Sequence, residues 1–392
     1  MKAKKSKFKN IRVLLIEGRA RQVMPMMKAL SELCCHITTY NSNKMDLGYV
    51  SRYPDKKIIR FCNDSDKERT IENIREELMT MQYDIVIPLN DYVAILLSQN
   101  KEQLSRYAQL AVNDWDVFRM ASDKLNTMRV CMEYGIPCPI TQLVENPCDV
   151  RTENFNFPVV VKPRTGYAAV GFSKVDVPGE LNQVLMATYK KYGVPLVQEY
   201  IPQTDLQYKA ELYVDKNGFV KSACVFAKLR WYPIDGGSST LNVTVDRPDI
   251  VETCVKLLSA INWRGYADVD LIQDPRDSTA KVMEINPRIT GSVKICFAVG
   301  INFAKQILED LLGESVTEYM EYKKGQYLRY MHTDLLWFLK SKNRFNIKPN
   351  WFDFRNSTDQ IFSVDDPLPF FAYTIQGLGR FKKERDRRSL PG

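Results

Sequence analysis

The stretch from Gly265 to Ser292, GYADVDLIQDPRDSTAKVMEINPRITGS, concentrates the residues that suit chemistry. Its two strand-like runs flank DPRDST, whose residue types favour a turn and hence a hairpin. Because strand side chains alternate between two faces, one face is apolar and would hold Val269, Leu271, Met283 and Ile285. The other face would hold Asp270, Glu284 and Asn286, with Arg288 shortly after them. Clustered oxygen atoms suit a hard cation such as Mg²⁺, although an ordinary strand pair with acids on its wet face has the same pattern.

A lysine and a loop of small residues form the second candidate feature. Lys162 ends the apolar run FPVVVK, and the loop 164–171 follows directly. Backbone amides in such a loop can hold phosphate oxygens while the ammonium supplies the opposite charge. A plain hairpin with a lysine at its mouth is the alternative. Further along, the backbone of residues 198–201 could face an adenine edge, and Asp205 could accept hydrogen bonds from ribose hydroxyls.

The elements before these features predict a sheet with a ligand-binding edge. Residues 11–113 alternate between short apolar runs and helical stretches, which is typical of a parallel α/β sheet. Ligands of such sheets lie beyond the carboxyl ends of the strands, where Glu17, Gly18, Asn90 and Asp91 fall. These residues either line a substrate crevice or serve only in turns and helix caps. No GxGxxG motif is present, so a dinucleotide site is not supported.

The remaining chain divides by pattern into further units. Residues 114–134 predict two short helices that are broken at Ser122-Asp123, just before Lys124. A small α+β unit begins at Phe157, and Asn217-Gly218 predicts a long hairpin. We therefore expect four regions, which are an N-terminal domain (1–113), linker helices with a lid (114–205), a core with the metal site (206–313) and an extension without an assigned role (314–392).

Composition narrows the class of protein. Apolar content of 45% and charged content of 26% are typical of a soluble globular chain. The net charge of +8 comes largely from the two ends. We expect no nucleic-acid binding, because the body shows no basic face with interleaved aromatics. Contact of the basic C-terminal tail with a membrane surface stays open, since Phe370 and Phe371 lie just upstream.

Cysteine and histidine usage bears on metals and compartment. The nine cysteines include no C-x-x-C pair, and there are only two histidines, so a structural zinc site is not expected. Scattered thiols suit a reducing compartment. The apolar run at Val13 is too short for a signal peptide, and no run approaches membrane-spanning length. We expect a cytoplasmic protein.

The order of these parts resembles the ATP-grasp superfamily. A lysine precedes a small unit, a strand lysine precedes a glycine-containing loop, a hinge strand follows, and the acid hairpin ends in EINPRITGS. The likeness covers roughly residues 11–313 and is greatest to carbamoyl-phosphate-synthase-like and carboxylate–amine ligases. It implies an α/β plus α+β fold of ATP-grasp architecture, with an N-terminal Rossmann-like parallel sheet, a small lid subdomain and an antiparallel core.

The resemblance implies that Lys124 and Lys162 contact ATP phosphates, together with the loop Gly166–Gly171. The family loop commonly reads GxGSxG, and here Ala168 and Ala169 replace its central Gly-Ser. Alanine keeps the backbone N–H groups but stiffens the loop, and a hydroxyl contact is lost.

The resemblance also assigns the nucleoside. The hinge residues Gln198, Glu199 and Ile201 would bind adenine through their backbone, and Asp205 would bind ribose.

Metal and catalytic roles follow from the same resemblance. Magnesium would be held by Asp270, Glu284 and Asn286, with Asp268 as a competing ligand. Arg288 would steady the transferred phosphate or the acyl phosphate. Lys228 and Arg230 lie where related ligases place basic residues near phosphate or substrate, and this match is loose. The implied catalytic residues are therefore Arg288, Lys162 and Arg230.

The implied reaction is an ADP-forming ligation. A carboxylate attacks the γ-phosphate of ATP, and an amine then displaces phosphate from the acyl phosphate to form an amide. Two Mg²⁺ ions, or Mn²⁺ in their place, would assist, and a lid over roughly residues 125–200 would close over the nucleotide. The expected partners are a small-molecule carboxylate and an amine, and a homodimer stays open. Bicarbonate chemistry of the carbamoyl-phosphate type and a non-catalytic nucleotide-binding module are the alternatives.

Overall fold

Three β-sheets organise the residues that the computed structural model describes, which are 6–147, 150–164, 171–203, 206–234 and 237–377. The first sheet is parallel, and the other two are mainly antiparallel. This arrangement agrees with the predicted combination of an α/β sheet with antiparallel units.

The N-terminal sheet has five parallel strands in the order β3-β2-β1-β4-β5. Side chains of the first strand alternate between two apolar cores, with Val13 and Leu15 in one and Leu14 and Ile16 in the other. Such burial on both faces explains the continuous apolar run, because helices cover both sides of a parallel sheet. Its strands are β1 Arg12–Ile16, β2 His36–Asn41, β3 Lys56–Ile59, β4 Ile85–Pro88 and β5 Gln109–Leu110. Its helices are α1 Val23–Glu32, α2 Leu47–Val50, α3 Lys67–Met79, α4 Asp91–Gln99 and α5 Lys101–Leu104.

Two linker helices, α6 Trp115–Ser122 and α7 Lys124–Glu133, join this sheet to the rest of the chain. Asp123 separates them, and its side chain accepts a hydrogen bond from the backbone N–H of Leu125, which caps α7. The same carboxylate pairs with Arg164, and the backbone N–H of Lys124 donates to the Arg164 carbonyl at 3.0 Å. The start of α7 is thereby fixed next to the strand that carries Lys162.

The small unit is an antiparallel sheet in the order β6-β9-β7-β8, packed against one helix. Valines on its inner face form a separate apolar core with Leu181 and Leu185 of that helix. Its elements are β6 Thr141–Leu143, β7 Val159–Pro163, β8 Ser173–Val175, α8 Leu181–Tyr192 and β9 Pro195–Glu199.

The core sheet has seven strands in the order β14-β13-β10-β11-β12-β15-β16. Two of them come from the region 314–392, so this predicted extension completes the core sheet. The strands are β10 Gln207–Val214, β11 Val220–Tyr232, β12 Ser238–Thr244, β13 Gly265–Gln273, β14 Ala280–Asn286, β15 Tyr327–Arg329 and β16 Ser357–Asp359. The helices are α9 Pro248–Ala260, α10 Lys294–Ala298, α11 Phe303–Leu311 and α12 Met331–Lys340, and residues 368–377 are also helical. No helix in the described ranges has the length and apolar character needed to span a membrane.

The predicted acid hairpin is the antiparallel pair β13–β14, with one departure from the expected alternation. Asp270 pairs with Glu284, but Leu271 pairs with Val282, so Met283 is an extra residue at a β-bulge. Beyond the bulge the alternation changes phase, and Val282 is fully buried in the core where Met283 was expected. The prediction that Met283 belongs to the apolar face is therefore wrong, while Val269, Leu271 and Ile285 do lie in that core.

Candidate active site

The hairpin brings its three predicted oxygen-bearing side chains together on one face. Asp270 lies opposite Glu284, and Asn286 lies opposite Asp268. The Asn286 Nδ2 donates to Asp270 Oδ2 at 3.0 Å, so the amide oxygen of Asn286 is not used by that contact. Asp270 and Glu284 retain 14% and 31% of their side-chain exposure, and both therefore remain accessible from the cleft.

Two lysines on neighbouring strands complete this face. Lys228 on β11 pairs with Asp270 Oδ1, and Lys209 on β10 lies 3.2 Å from Asp270 Oδ2. Burial alone would raise the pKa of Asp270, but these two ammonium groups outweigh it and hold that pKa well below its usual range. Asp270 is therefore a carboxylate at neutral pH. The sequence reasoning missed Lys209, although the alternation of charged and apolar residues in QYKAELYV indicated it.

A second acid pair, Asp268 and Glu211, lies further along the same face and is fully buried. Asp268 is fully buried and accepts hydrogen bonds from Lys209 at 2.6 and 2.8 Å and from Thr290. Glu211, which the sequence reasoning also missed, accepts from Ser292 at 2.9 Å, and burial together with Asp268 raises its pKa to about 7. Burial likewise raises the pKa of Asp268. These contacts favour Asp270 over Asp268 as a cation ligand.

The two predicted phosphate lysines lie on different elements, Lys124 at the start of α7 and Lys162 on β7 of the small sheet. The Lys124 Nζ lies 3.1 Å from Glu284 Oε2. Lys162 is almost completely buried, and its Nζ donates to Gln198 Oε1 at 2.7 Å. Burial and the neighbouring Lys124 ammonium lower the pKa of Lys162 to about 8, although Glu284 partly opposes them. Lys124 thus pairs with Glu284 directly, while Lys162 lies close enough to both for their charges to affect its pKa.

The hinge strand contributes differently from the expectation. Gln198 lies within β9, between β6 and β7, so its backbone belongs to the sheet and its side chain instead bridges Lys162 and Thr141. Glu199 directs its carboxylate to Arg276 in the turn of the acid hairpin. Ile201 is buried just after the strand ends. The predicted nucleotide-binding residues Gly166, Ala168 and Asp205 lie outside the described residues.

Arg288 connects the core to the N-terminal sheet. Its Nε and Nη2 atoms donate to the two oxygens of Asp91 at 2.9 and 2.7 Å, a bidentate pair. Burial would lower the pKa of Arg288, but Asp91 outweighs it and raises that pKa. Asp91 also lines a cavity of about 900 Å³ at the carboxyl edge of the parallel sheet, together with Arg19 and Asn90.

Glu17 closes one side of this sheet edge. Its carboxylate is buried and binds Arg19 at 2.9 Å and Asn90 at 2.9 Å, and burial raises its pKa. Its φ of +83° lies in the left-handed region, which is rare outside glycine and recurs at functional sites. The sheet edge that the sequence predicted as a crevice is therefore a built, polar cavity next to Arg288.

Arg230 has a different environment from the one predicted. Its guanidinium is fully buried, pairs with Asp334 of α12 at 3.2 Å and stacks on Trp337 at 4.8 Å. Within the described residues these contacts anchor α12 to the sheet and include none of the acidic face. A structural role accounts for all of them, and the catalytic role of Arg230 remains only a prediction.

Several buried donors lack an acceptor among the described residues. Asn242, the β12 partner of Lys228, is fully buried, and its Nδ2 has no hydrogen bond. The same holds for Nε1 of Trp231 and for one terminal nitrogen of Arg21, whose guanidinium stacks on Tyr330 at 4.1 Å. Buried donors are normally satisfied, so these three nitrogens are exceptions within the described residues.

The donor set of the acidic face fits a magnesium ion in its chemistry. Two carboxylates and an amide oxygen are hard ligands of the kind that Mg²⁺ prefers, with phosphate oxygens and water completing its shell. Among the described residues no group of three histidine, cysteine or acidic side chains is placed to hold a metal. Asp270, Glu284 and Asn286 would therefore hold the ion only together with a phosphate ligand.

Comparisons with known proteins agree with this geometry. Residues 121–292 match the family model described as "ATP-grasp domain". The chain is 29% identical over 249 residues to D-aspartate ligase of Enterococcus faecium (strain Aus0004), covering 58% of each chain. It is 25% identical over 192 residues to D-alanine--D-alanine ligase of Thermoanaerobacter sp. (strain X514), covering 45% of this chain and 53% of that relative. The chain thus spans less than two thirds of the length of these relatives.

Solved structures share the fold. Biotin carboxylase from Campylobacter jejuni superposes with a TM-score of 0.70 at 15% identity, over 81% of this chain and 74% of that chain. L-amino acid ligase from Bacillus licheniformis gives a TM-score of 0.62 at 19% identity, over 77% and 74% of the two chains. Residues 121–292 are therefore identified as an ATP-grasp domain, and the chain as a whole shares its fold with the solved structures named above.

Proposed function

We propose that this protein is an ATP-dependent, ADP-forming ligase that activates a carboxylate as an acyl phosphate and joins it to an amine. The observation that carries the proposal is the ion pair of Lys124 with Glu284, which lies opposite Asp270 on the hairpin and close enough to the buried Lys162 for their charges to interact. Phosphoryl transfer needs positioning and charge neutralisation more than a protein nucleophile. This cleft supplies cations and carboxylates in alternation, which suits a polyphosphate with its metal.

Charge neutralisation is the main task of these residues. An anionic acid and a polyphosphate about 4 Å apart repel each other by on the order of 4 kcal/mol at an effective dielectric near 20. We assign Lys124 and Lys162 to the phosphates, and Gln198 to holding the Lys162 ammonium in place at 2.7 Å. Asp270, Glu284 and Asn286 would hold Mg²⁺, which would neutralise phosphate charge when bound.

The acid substrate would lie between the N-terminal sheet edge and the core. Arg288 is held there by both oxygens of Asp91, so its guanidinium is fixed in orientation next to the cavity. A fixed arginine can steady the transferred phosphate without reorganisation at the moment of reaction.

Amino acids are the first substrates to test. The relative named D-aspartate ligase makes D-aspartate the first candidate acid, and D-alanine follows from the second relative. The sequence also leaves a peptide or a sugar acid open. No cysteine in the described ranges forms a disulfide, which supports a reducing compartment, and we propose the cytoplasm as the site of the reaction.

An ADP-release assay tests the proposal. Purified protein with MgATP is incubated with pools of acids and amines, each alone and both together, and ADP is measured by a coupled enzyme assay. Release that requires both an acid and an amine is the expected result. Release that requires bicarbonate would instead favour carbamoyl-phosphate-type chemistry, and nucleotide binding without turnover under every pool would favour a non-catalytic module.

A further inference from the structure

The segment from α12 onward exposes a row of apolar side chains. Leu339, Phe345 and Phe352 are 60 to 62% exposed. Leu335 is also exposed and lies one helical turn before Leu339, so the two leucines share a face. Phe338 holds the two phenylalanines in place, with ring centroids 5.5 Å from Phe345 and 5.6 Å from Phe352 in edge-to-face contacts. These apolar groups are therefore presented on a fixed scaffold.

A second apolar face lies on the helix over residues 368–377. Leu368, Phe371 and Ile375 are 56 to 63% exposed, and spacings of three and four place them on one side of the helix. The other side packs on the first turn of α12, where Thr374 Oγ1 lies 2.8 Å from His332 Nε2. The two segments are thus joined, and both turn apolar side chains outward. We name Leu335, Leu339, Phe345, Phe352, Leu368, Phe371 and Ile375 the C-terminal apolar surface.

Positive charge accompanies this surface. Residues 335–352 contain Lys340, Lys342, Arg344 and Lys348 and no aspartate or glutamate. The three lysines are exposed. The sequence that follows residue 377 continues with RFKKERDRR, which is again basic. Basic side chains interleaved with aromatic and aliphatic ones are therefore present in the body of the chain, where the composition suggested none.

We propose that the C-terminal apolar surface docks this protein on an anionic membrane surface. Apolar side chains that enter the boundary between headgroups and acyl chains, with lysines beside them, are the two components of such binding. A second copy of the chain fits less well, because it would bring like positive charges together. Nucleic acid also fits less well, because leucine and isoleucine offer no ring on which a base can stack. The proposal does not depend on the ligase reaction.

Vesicle co-sedimentation tests the proposal with the full chain. Phosphatidylcholine vesicles with and without phosphatidylglycerol are compared at low salt and at about 0.5 M salt, where charge attraction is screened. Wild type should sediment only with the phosphatidylglycerol vesicles at low salt. The double variant Leu339→Ser/Phe345→Ser should bind about tenfold more weakly or worse, because it loses two inserted side chains. The pair Lys342→Glu/Lys348→Glu should lose binding through charge, because both lysines are exposed.

A matched control distinguishes docking by this surface from nonspecific binding through any exposed apolar side chain. Phe219 is 65% exposed, lies at the β10–β11 turn and has Lys221 near its ring, so Phe219→Ser removes an equally exposed ring beside a lysine at another place. That variant should bind vesicles like wild type, and nucleotide binding should confirm that every variant is folded. The proposal fails if wild type ignores phosphatidylglycerol vesicles or if the double variant binds them as wild type does. It also fails if the same substitutions abolish a dimer in sedimentation analysis or binding to a single-stranded oligonucleotide while vesicle binding persists.

Discussion

Substituting Glu284 and Asp268 in two separate variants distinguishes a carboxylate that binds a cation from one that only stabilises the fold. The two acids lie on the same face of one hairpin, but only Glu284 is partly exposed, and its one described ion-pair partner is Lys124 at 3.1 Å. An ion pair with such exposure contributes about 0–1 kcal/mol to stability. Glu284→Gln should therefore melt close to wild type.

The same substitution should be severe for turnover. If Glu284 holds the cation that neutralises the phosphates, its loss should remove about 3 kcal/mol of transition-state stabilisation, or about 100-fold in rate. Asp268→Asn should show the opposite result, which is a larger effect on stability than on turnover. It weakens the contacts of a fully buried carboxylate with Lys209 and Thr290, at a cost of about 2–4 kcal/mol of folding free energy.

Three measurements distinguish the two variants. Coupled ADP release gives turnover, calorimetric titration with ADP at varied Mg²⁺ gives the metal dependence of binding, and thermal unfolding gives stability. Glu284→Gln should be folded, slow and insensitive to Mg²⁺ in nucleotide binding. Wild-type turnover in Glu284→Gln, or a loss of stability as large as that of Asp268→Asn, would refute the assignment of these two acids.

Three further predictions concern neighbouring groups. The pKa of Lys162 is lowered to about 8 in the free protein, so the affinity for ADP should fall as the pH rises through that value and the ammonium is lost. Calorimetry in buffers of different ionisation heat should detect proton uptake on ADP binding, and an affinity that does not change with pH would argue against phosphate contact by this lysine. Asp91→Asn should lower kcat/KM for the acid substrate about tenfold with little change in melting temperature, because it releases Arg288 from a partly exposed ion pair. Unchanged kinetics would show that Arg288 is not part of the active site. Arg230→Met should cost about 3–5 kcal/mol of folding free energy, because the buried negative charge of Asp334 loses its ion pair with Arg230. Normal stability with lost turnover would instead support a catalytic role for Arg230.

Much of what could be predicted from the sequence came from the alternation of apolar and polar residues along the strands. The shared face of Asp270 and Glu284 on one hairpin followed from the period of two and from a turn-forming linker. The bulge at Met283 did not, because one inserted residue leaves no mark in residue type yet reverses every side chain beyond it. Lys209 and Glu211 could have been found, since charged residues at alternating positions of an apolar strand indicate a polar face.

Contacts between distant parts of the chain were beyond the sequence. Arg288 and Asp91 are 197 residues apart, and only the docking of the N-terminal sheet on the core brings them together. Arg230 shows the reverse, since a basic residue on a core strand matched the expected pattern and proved to be buried against α12. The strands β15 and β16 have three residues each, too short to show any periodicity.

The central claim is that this cleft transfers the γ-phosphate of ATP to a carboxylate. The most direct measurement supplies D-aspartate, or the acid found in the pools, with heavy oxygen in its carboxylate and follows the label into inorganic phosphate during ligation. An acyl-phosphate route predicts that each phosphate released carries one oxygen from the acid. Unlabelled phosphate, formed while ADP accumulates, would mean that water takes the phosphoryl group and would contradict the proposed ligase.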